Sequence, residues 1–166
     1  MKLTDPRILS TVALTAIGVW VGGMLALGAI AAPVVFGMVP APESADAMTV
    51  VFRRFDAVAM SCAVIVVGTE AVRAVARPRA ARIARIDLLR SLVAAVAGAL
   101  AVVQGMAISP KIEGLHRAGA IRGLGSLGLE LESTHRLAEL NGKTQTVLAV
   151  ALIALHAFSL ASKPGT

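Results

Sequence analysis

The sequence predicts an all-α integral membrane protein, a four-helix bundle with a long outer segment between helices 3 and 4. Three observations carry that expectation. Of the 166 residues, 57% are apolar and only 16% charged, against about 45–50% and 25% in an average soluble domain; the mean hydropathy is +0.79. Four runs are free of Asp, Glu, Lys and Arg: 8–42, 57–69, 91–110 and 144–162. These runs lack period-two alternation, and in lipid only helices and closed barrels satisfy their own backbone. A disordered chain, a soluble enzyme domain and a secreted disulfide scaffold are excluded. The single cysteine, Cys62, has no partner in the chain. One tryptophan, four phenylalanines and no tyrosine give no platform for stacked bases, so no nucleic-acid partner is expected.

A helix crosses the bilayer with about 20 apolar residues. The expectation is one membrane domain over 1–166, with spans near 8–39, 48–75, 88–108 and 144–162 and an outer segment 109–143. The first span follows Lys2 and Arg7 and contains Ala29-Ile30-Ala31, which has the look of a cleavage site. Its apolar run exceeds the roughly 7–15 residues of a signal sequence, so an uncleaved span is expected. Within it, Gly18 and Gly22 share one face, either for close helix packing or to open a cofactor groove. Trp20 lies mid-span as a packing residue. Pro33 removes a helix hydrogen bond and predicts a kink or stop near Ala31-Ala32. Pro40 and Pro42 close a short loop carrying Glu43 and Asp46.

The second run is too short alone, so its span draws in Arg53, Arg54, Asp56 and Glu70. Arg53 precedes Asp56 by three residues and Arg73 follows Glu70 by three. Either these are interfacial ion pairs with snorkelling arginines, or one carboxyl faces the interior as a ligand or proton site. Span 3 carries Gln104, expected to bond a neighbouring helix. Ser109-Pro110 reads as a cap and first-turn proline of a short helix Pro110–Ala118. A flexible loop, 119–125, follows. From Ser126 a helix is expected to run unbroken into span 4, with Leu127, Leu131, His135 and Ala138 near one face. His156 is expected to be packed and hydrogen-bonded.

Charge sets the expected orientation. The N-terminus, the loop between spans 2 and 3 and the C-terminus hold nine bases and three acids; the other side holds seven of each. All of the +6 net charge lies on one side, which the positive-inside rule makes cytoplasmic. The stretch Arg73–Arg90 is then expected beside anionic lipid headgroups. The expected location is a bacterial inner (plasma) membrane with both termini cytoplasmic.

Two Glu-x-x-His spacings stand out: Glu113 with His116, and Glu132 with His135. Residues three apart share a helix face, and carboxylate-bridged di-iron bundles use two such pairs plus two more carboxylates. Glu139, Asp56 and Glu130 are candidates for the latter. The opposing reading pairs the glutamates with Arg117, Arg136 and Lys143. The cofactor stays open, with a metal ion the class this spacing supports. Cys-x-x-Cys, a Gly-rich phosphate loop and Gly-x-Ser-x-Gly are missing, and Ser61 and Cys62 have no base beside them.

Taken in order, several short motifs carry a family resemblance. They are Trp20-Val21-Gly22-Gly23-Met24, Ala32-Pro33-Val34-Val35-Phe36 with Val39-Pro40, and Val51-Phe52-Arg53-Arg54-Phe55. Ser109-Pro110-Lys111-Ile112 and His135-Arg136-Leu137 before Asn141 complete the set. Over about 15–160 the chain resembles the four-span family of unknown function typified by transmembrane protein two-hundred-five, the DUF-four-one-four-nine type. The resemblance implies a multi-pass membrane protein and no established reaction or catalytic residue. His116 stands where relatives are expected to carry arginine, and Ala138 where they carry serine.

The expected function is a non-enzymatic bundle that binds, or helps to move, a small ligand. The alternatives are a membrane metal or redox protein using the Glu-x-x-His pairs, and an accessory subunit of a larger membrane complex. Small residues in spans 1 and 3 allow a homo-oligomer or a membrane partner. The ligand site is expected at the outer end, around Arg53, Arg54, Asp56, His135 and Asn141. The two arginines are expected to meet Glu130 or Glu132.

Overall fold

The computed structural model describes residues 5–77 and 84–161. Four of the bases in the charge argument, Lys2, Arg79, Arg82 and Lys163, lie outside the described residues. The described residues form four long helices: α1 (Pro6–Met38), α2 (Glu43–Ala76), α3 (Arg85–Arg117) and α4 (Gly125–Ala161). There is no strand among the described residues.

Asp5 caps α1 by accepting from the Arg7 backbone N–H at 2.8 Å, ahead of Pro6 in the first turn. Of the expected kink or stop at Pro33, the stop does not occur. The turn before it, Ala26–Ala31, widens to a π-helix, and the Ala32 N–H reaches back to the Leu27 carbonyl. The wider turn accommodates the ring and the missing donor, so α1 continues to Met38. The same device recurs in α3. Gln104–Ile108 is π-helical, the Ser109 N–H bonds the Gln104 carbonyl, and Pro110 follows. Ser109 is therefore helical backbone and not the cap of a separate Pro110–Ala118 helix. Span 3 and the start of the outer segment form one helix ending at Arg117. Glu43 and Asp46 likewise leave the expected loop and occupy the first turn of α2, where acids favour the helix dipole.

The turn between α3 and α4 needs glycine at Gly119 and Gly123, with φ of 75° and 78°. It folds back so that the Gly123 N–H bonds the Gly128 carbonyl at 3.2 Å. A Cβ on Gly128 would overlap the Ile121 carbonyl.

In the bundle, α1 and α3 each pack against both α2 and α4. The core layer joins Ala16, Ile17 and Trp20 of α1 to Ala59, Ala63 and Val66 of α2, with Ala94, Ala97 and Ala101 of α3 and Ala149 and Leu152 of α4 facing them. Small residues let the helices approach closely. Trp20, 1% exposed, is the large side chain filling their centre. Gly18 and Gly22 do not serve this packing, because a Cβ on either would meet nothing within 4 Å. The close approach on α1 is instead at Gly23, where a Cβ would overlap the Phe55 ring. A second core, Ile108, Ile112, Leu115 and Leu131, holds the end of α3 on the start of α4. Large apolar side chains including Val19, Leu25, Phe36, Val64 and Leu92 face outward. By length and composition, α1 and α3 are able to cross a membrane.

Candidate functional site

Polar side chains inside the bundle gather at two levels. One lies toward the α3–α4 turn, here the loop end, at the π turn of α3. Asn141 of α4 donates through Nδ2 to Gln104 Oε1 at 2.8 Å and to the Leu100 carbonyl at 3.2 Å. Gln104 Nε2 donates to Ser109 Oγ at 3.1 Å. The Ser109 side chain stands beside the Asp56 carboxylate on α2. The hydrogen bonds therefore run from Asn141 of α4 to Ser109 of α3, with Asp56 next to that end. Both Asp56, 7% exposed, and Asn141, 6% exposed, are buried. Each retains an oxygen without a hydrogen-bond partner, Asp56 Oδ2 and Asn141 Oδ1. Buried acceptors left unmatched each cost about 1–3 kcal/mol.

The π turn brings these groups together. Gly105 has no side chain to hold Met60 and Asp56 away; a Cβ there would lie 2.9 Å from the Met60 sulfur and 3.4 Å from Asp56 Cβ. Arg53 Nη1 donates to the Gly105 carbonyl at 2.6 Å, and Arg53 Nε pairs with Glu113 at 3.2 Å. Arg53 thus meets an acid of the outer segment, but it is Glu113. Glu130 pairs instead with Lys111, and Glu132 with Arg136, each at 2.8 Å. Helical continuity explains the difference: with α3 unbroken through Pro110, Glu113 lies one to two turns beyond the π turn, beside Arg53. Arg54 is exposed.

Among the expected ligand residues, the structure joins Arg53, Asp56 and Asn141 in this network, and His135 lies elsewhere. Its ring meets that of His116, centroids 5.9 Å apart and planes at 69°. Burial, then the Arg122 charge and the neighbouring His116, push the His135 pKa below its ordinary value. The four residues of the two Glu-x-x-His pairs do not gather as one set. Glu113 turns to Arg53 and Arg117, and Glu132 to Arg136. No group of three or more His, Cys, Asp or Glu suited to a metal ion occurs among the described residues. Glu139 pairs with Lys143 at 2.6 Å, and this contact lowers its pKa.

The second polar level lies toward the chain termini. Glu70 accepts from Arg90 Nε at 2.8 Å and from Ser91 Oγ at 2.9 Å, and Arg73 Nε stands 3.7 Å away. Arg90 also donates to Ser159 at 2.7 Å and pairs with Asp87 at 3.1 Å. Arg73 Nη2 donates to Ser10 of α1 at 2.7 Å, so all four helices contribute. His156 is fully buried with its Nε2 4.0 Å from Glu70 Oε1. Neither ring nitrogen has a hydrogen-bond partner, so the histidine is packed but not hydrogen-bonded as expected.

Sequence reasoning named Gln104 as a contact to another helix, and its bond to Asn141 is that contact. It missed Ser109 as an Asp56 partner and Arg90 as the main partner of Glu70. For Arg90 a signal existed: Glu70 and Arg90 flank one short loop and fall at equal depth in adjacent spans.

A family model described as "Domain of unknown function (DUF4149)" matches residues 15–120, which is most of the chain, so the chain belongs to that family. No curated protein and no solved structure matches it.

Proposed function

We propose that this member of the DUF4149 family is a four-span membrane bundle, with both termini on the cytoplasmic face, that binds a small cation at its loop end. Burial supports the membrane setting. Only 11% of the most apolar window of α1 and 33% of that of α3 is buried within the bundle. A helix at the core of a soluble protein is mostly buried, whereas a spanning helix turns its apolar surface to lipid.

The observation that carries the ligand reading is the pair of unmatched buried oxygens, Asp56 Oδ2 and Asn141 Oδ1, at either side of the Asn141–Gln104–Ser109 hydrogen bonds. Both are acceptors, so the matching ligand supplies donors or positive charge. Arg53 is held by the Gly105 carbonyl and by Glu113, and Asp56 Oδ2 keeps no hydrogen-bond partner. An intramembrane carboxylate facing the bundle interior is the common mark of an ion or substrate site.

The test is thermal unfolding of the detergent-solubilised protein. NaCl, KCl or NH4Cl replaces N-methylglucamine chloride, whose cation is a bulky organic one, at constant ionic strength. At least one small cation is expected to raise the wild-type midpoint, and Asp56→Asn is expected to lose the response. Equal responses in both proteins, or none in the wild type, would remove the proposal.

A further inference from the structure

We propose that His116 and His135 form a two-imidazole site for a divalent first-row transition-metal ion, with water completing its coordination. The pair joins the end of α3 to the start of α4 and shares no ligand with the Asp56 network. Its test therefore stands or falls independently of the cation reading.

Geometry supplies the main argument. A metal–nitrogen bond of about 2.0–2.1 Å puts each ring centre about 3.2 Å from a shared ion. Two such rings lie about 5.2 Å apart at a tetrahedral angle and about 6.4 Å apart when opposed. The observed 5.9 Å separation falls between these limits. Imidazole nitrogens suit zinc, copper and nickel. The Ile112, Leu115 and Leu131 core fixes the two helices that carry them. The site is also reachable, since both histidines are partly exposed.

The surrounding charges are consistent with a weakly held ion. Glu113 and Glu132 lie one turn before each histidine and supply negative charge nearby, although arginines hold both. Arg122 opposes the ion from the α3–α4 turn, where it is exposed. With two protein ligands the expected affinity is micromolar, far below that of a four-ligand structural zinc site.

The experiment uses tag-free, chelator-stripped protein. Calorimetric titration with ZnCl2 is expected to show one ion per chain. His116→Phe and His135→Phe keep a ring in the contact and remove the lone pair. Each is expected to weaken binding about ten-fold or more, and the double variant to abolish it. With Cu(II) as a spectroscopic probe, the electron paramagnetic resonance spectrum is expected to show two coordinated nitrogens in the wild type and one in either single variant. Circular dichroism of the same samples reports whether each variant is folded. Absence of Zn(II) binding to the wild type overturns the proposal. So does undiminished binding by the folded double variant, or a Cu(II) spectrum that the substitutions leave unchanged.

Discussion

Glu70 of α2 and Arg90 of α3 make a 2.8 Å ion pair with side chains only 5% and 3% exposed. Arg90 spreads its guanidinium over Glu70, Ser159 and Asp87, so one side chain fastens α3 to both α2 and α4. Removing one partner leaves the other buried without its countercharge, which costs about 3–5 kcal/mol. Glu70→Leu and Arg90→Leu are each expected to destabilise the protein by that order. The double variant is expected to lose much less than the sum. Unfolding of the four proteins in detergent checks this, and strict additivity would show that the pair does not act as a unit.

Ser109 is expected to matter through Asp56. Ser109→Ala takes away the donor at the end of the chain and strands Gln104 Nε2 as well. The expected loss is about 1–3 kcal/mol. Thr144→Ala serves as the control, since its hydroxyl bonds only its own helix, to the Leu140 carbonyl, on an exposed face. A Ser109 effect no larger than that of Thr144 would mean that the network does not hold Asp56.

Hydropathy and charge-free runs made the four helices readable, because long apolar runs without period-two alternation favour helices. What the linear pattern could not show was how the helices absorb Pro33 and Pro110. A proline signals a break, yet a preceding π turn lets each helix continue. That continuity moved Ser109 from a cap to the Asp56 network and Glu113 to Arg53. Local spacing found Arg73 beside Glu70, but Arg90 is 20 residues away and entered the reading as a lipid-facing base. Asp56 was legible as a polar group within an expected span and Asn141 as one at its outer rim; their link through Gln104 and Ser109 required the register of α3 against α4.

A pH effect is expected at the loop end. Burial first, then Arg122 and His116, lower the His135 pKa from its ordinary value, about 6.5 in an unfolded chain. The fold therefore favours the neutral ring, and the unfolded chain takes up the proton first. This contribution to stability is present above about pH 6.5 and is lost as the pH falls through the lower folded pKa. Unfolding midpoints between about pH 7.5 and about pH 5, with chelator present, are expected to decline in the wild type. His135→Gln is expected to flatten the decline. An unchanged slope would place the protonation elsewhere.

Orientation gives the last prediction. The start of α1, the end of α2, the start of α3 and the end of α4 share one end of the bundle, as the contacts of Arg73 with Ser10 and of Arg90 with Ser159 require. Among the described residues that end carries Arg7, Arg73, Arg77, Arg85 and Arg90 against Asp5, Glu70 and Asp87, whereas the loop end is balanced. Positive charge near spans is retained on the cytoplasmic side, so the α3–α4 turn is expected outside. Cys62 is buried and is the one native cysteine, so Cys62→Ala provides a background without thiols. In that background, Arg122→Cys at the exposed α3–α4 turn and Arg85→Cys at the exposed start of α3 report the two sides. A membrane-impermeant maleimide applied to intact cells is expected to label Arg122→Cys and to reach Arg85→Cys only after the cells are opened. The reverse pattern would invert the protein, and labelling of both sites in intact cells would argue against a chain that crosses the membrane as proposed.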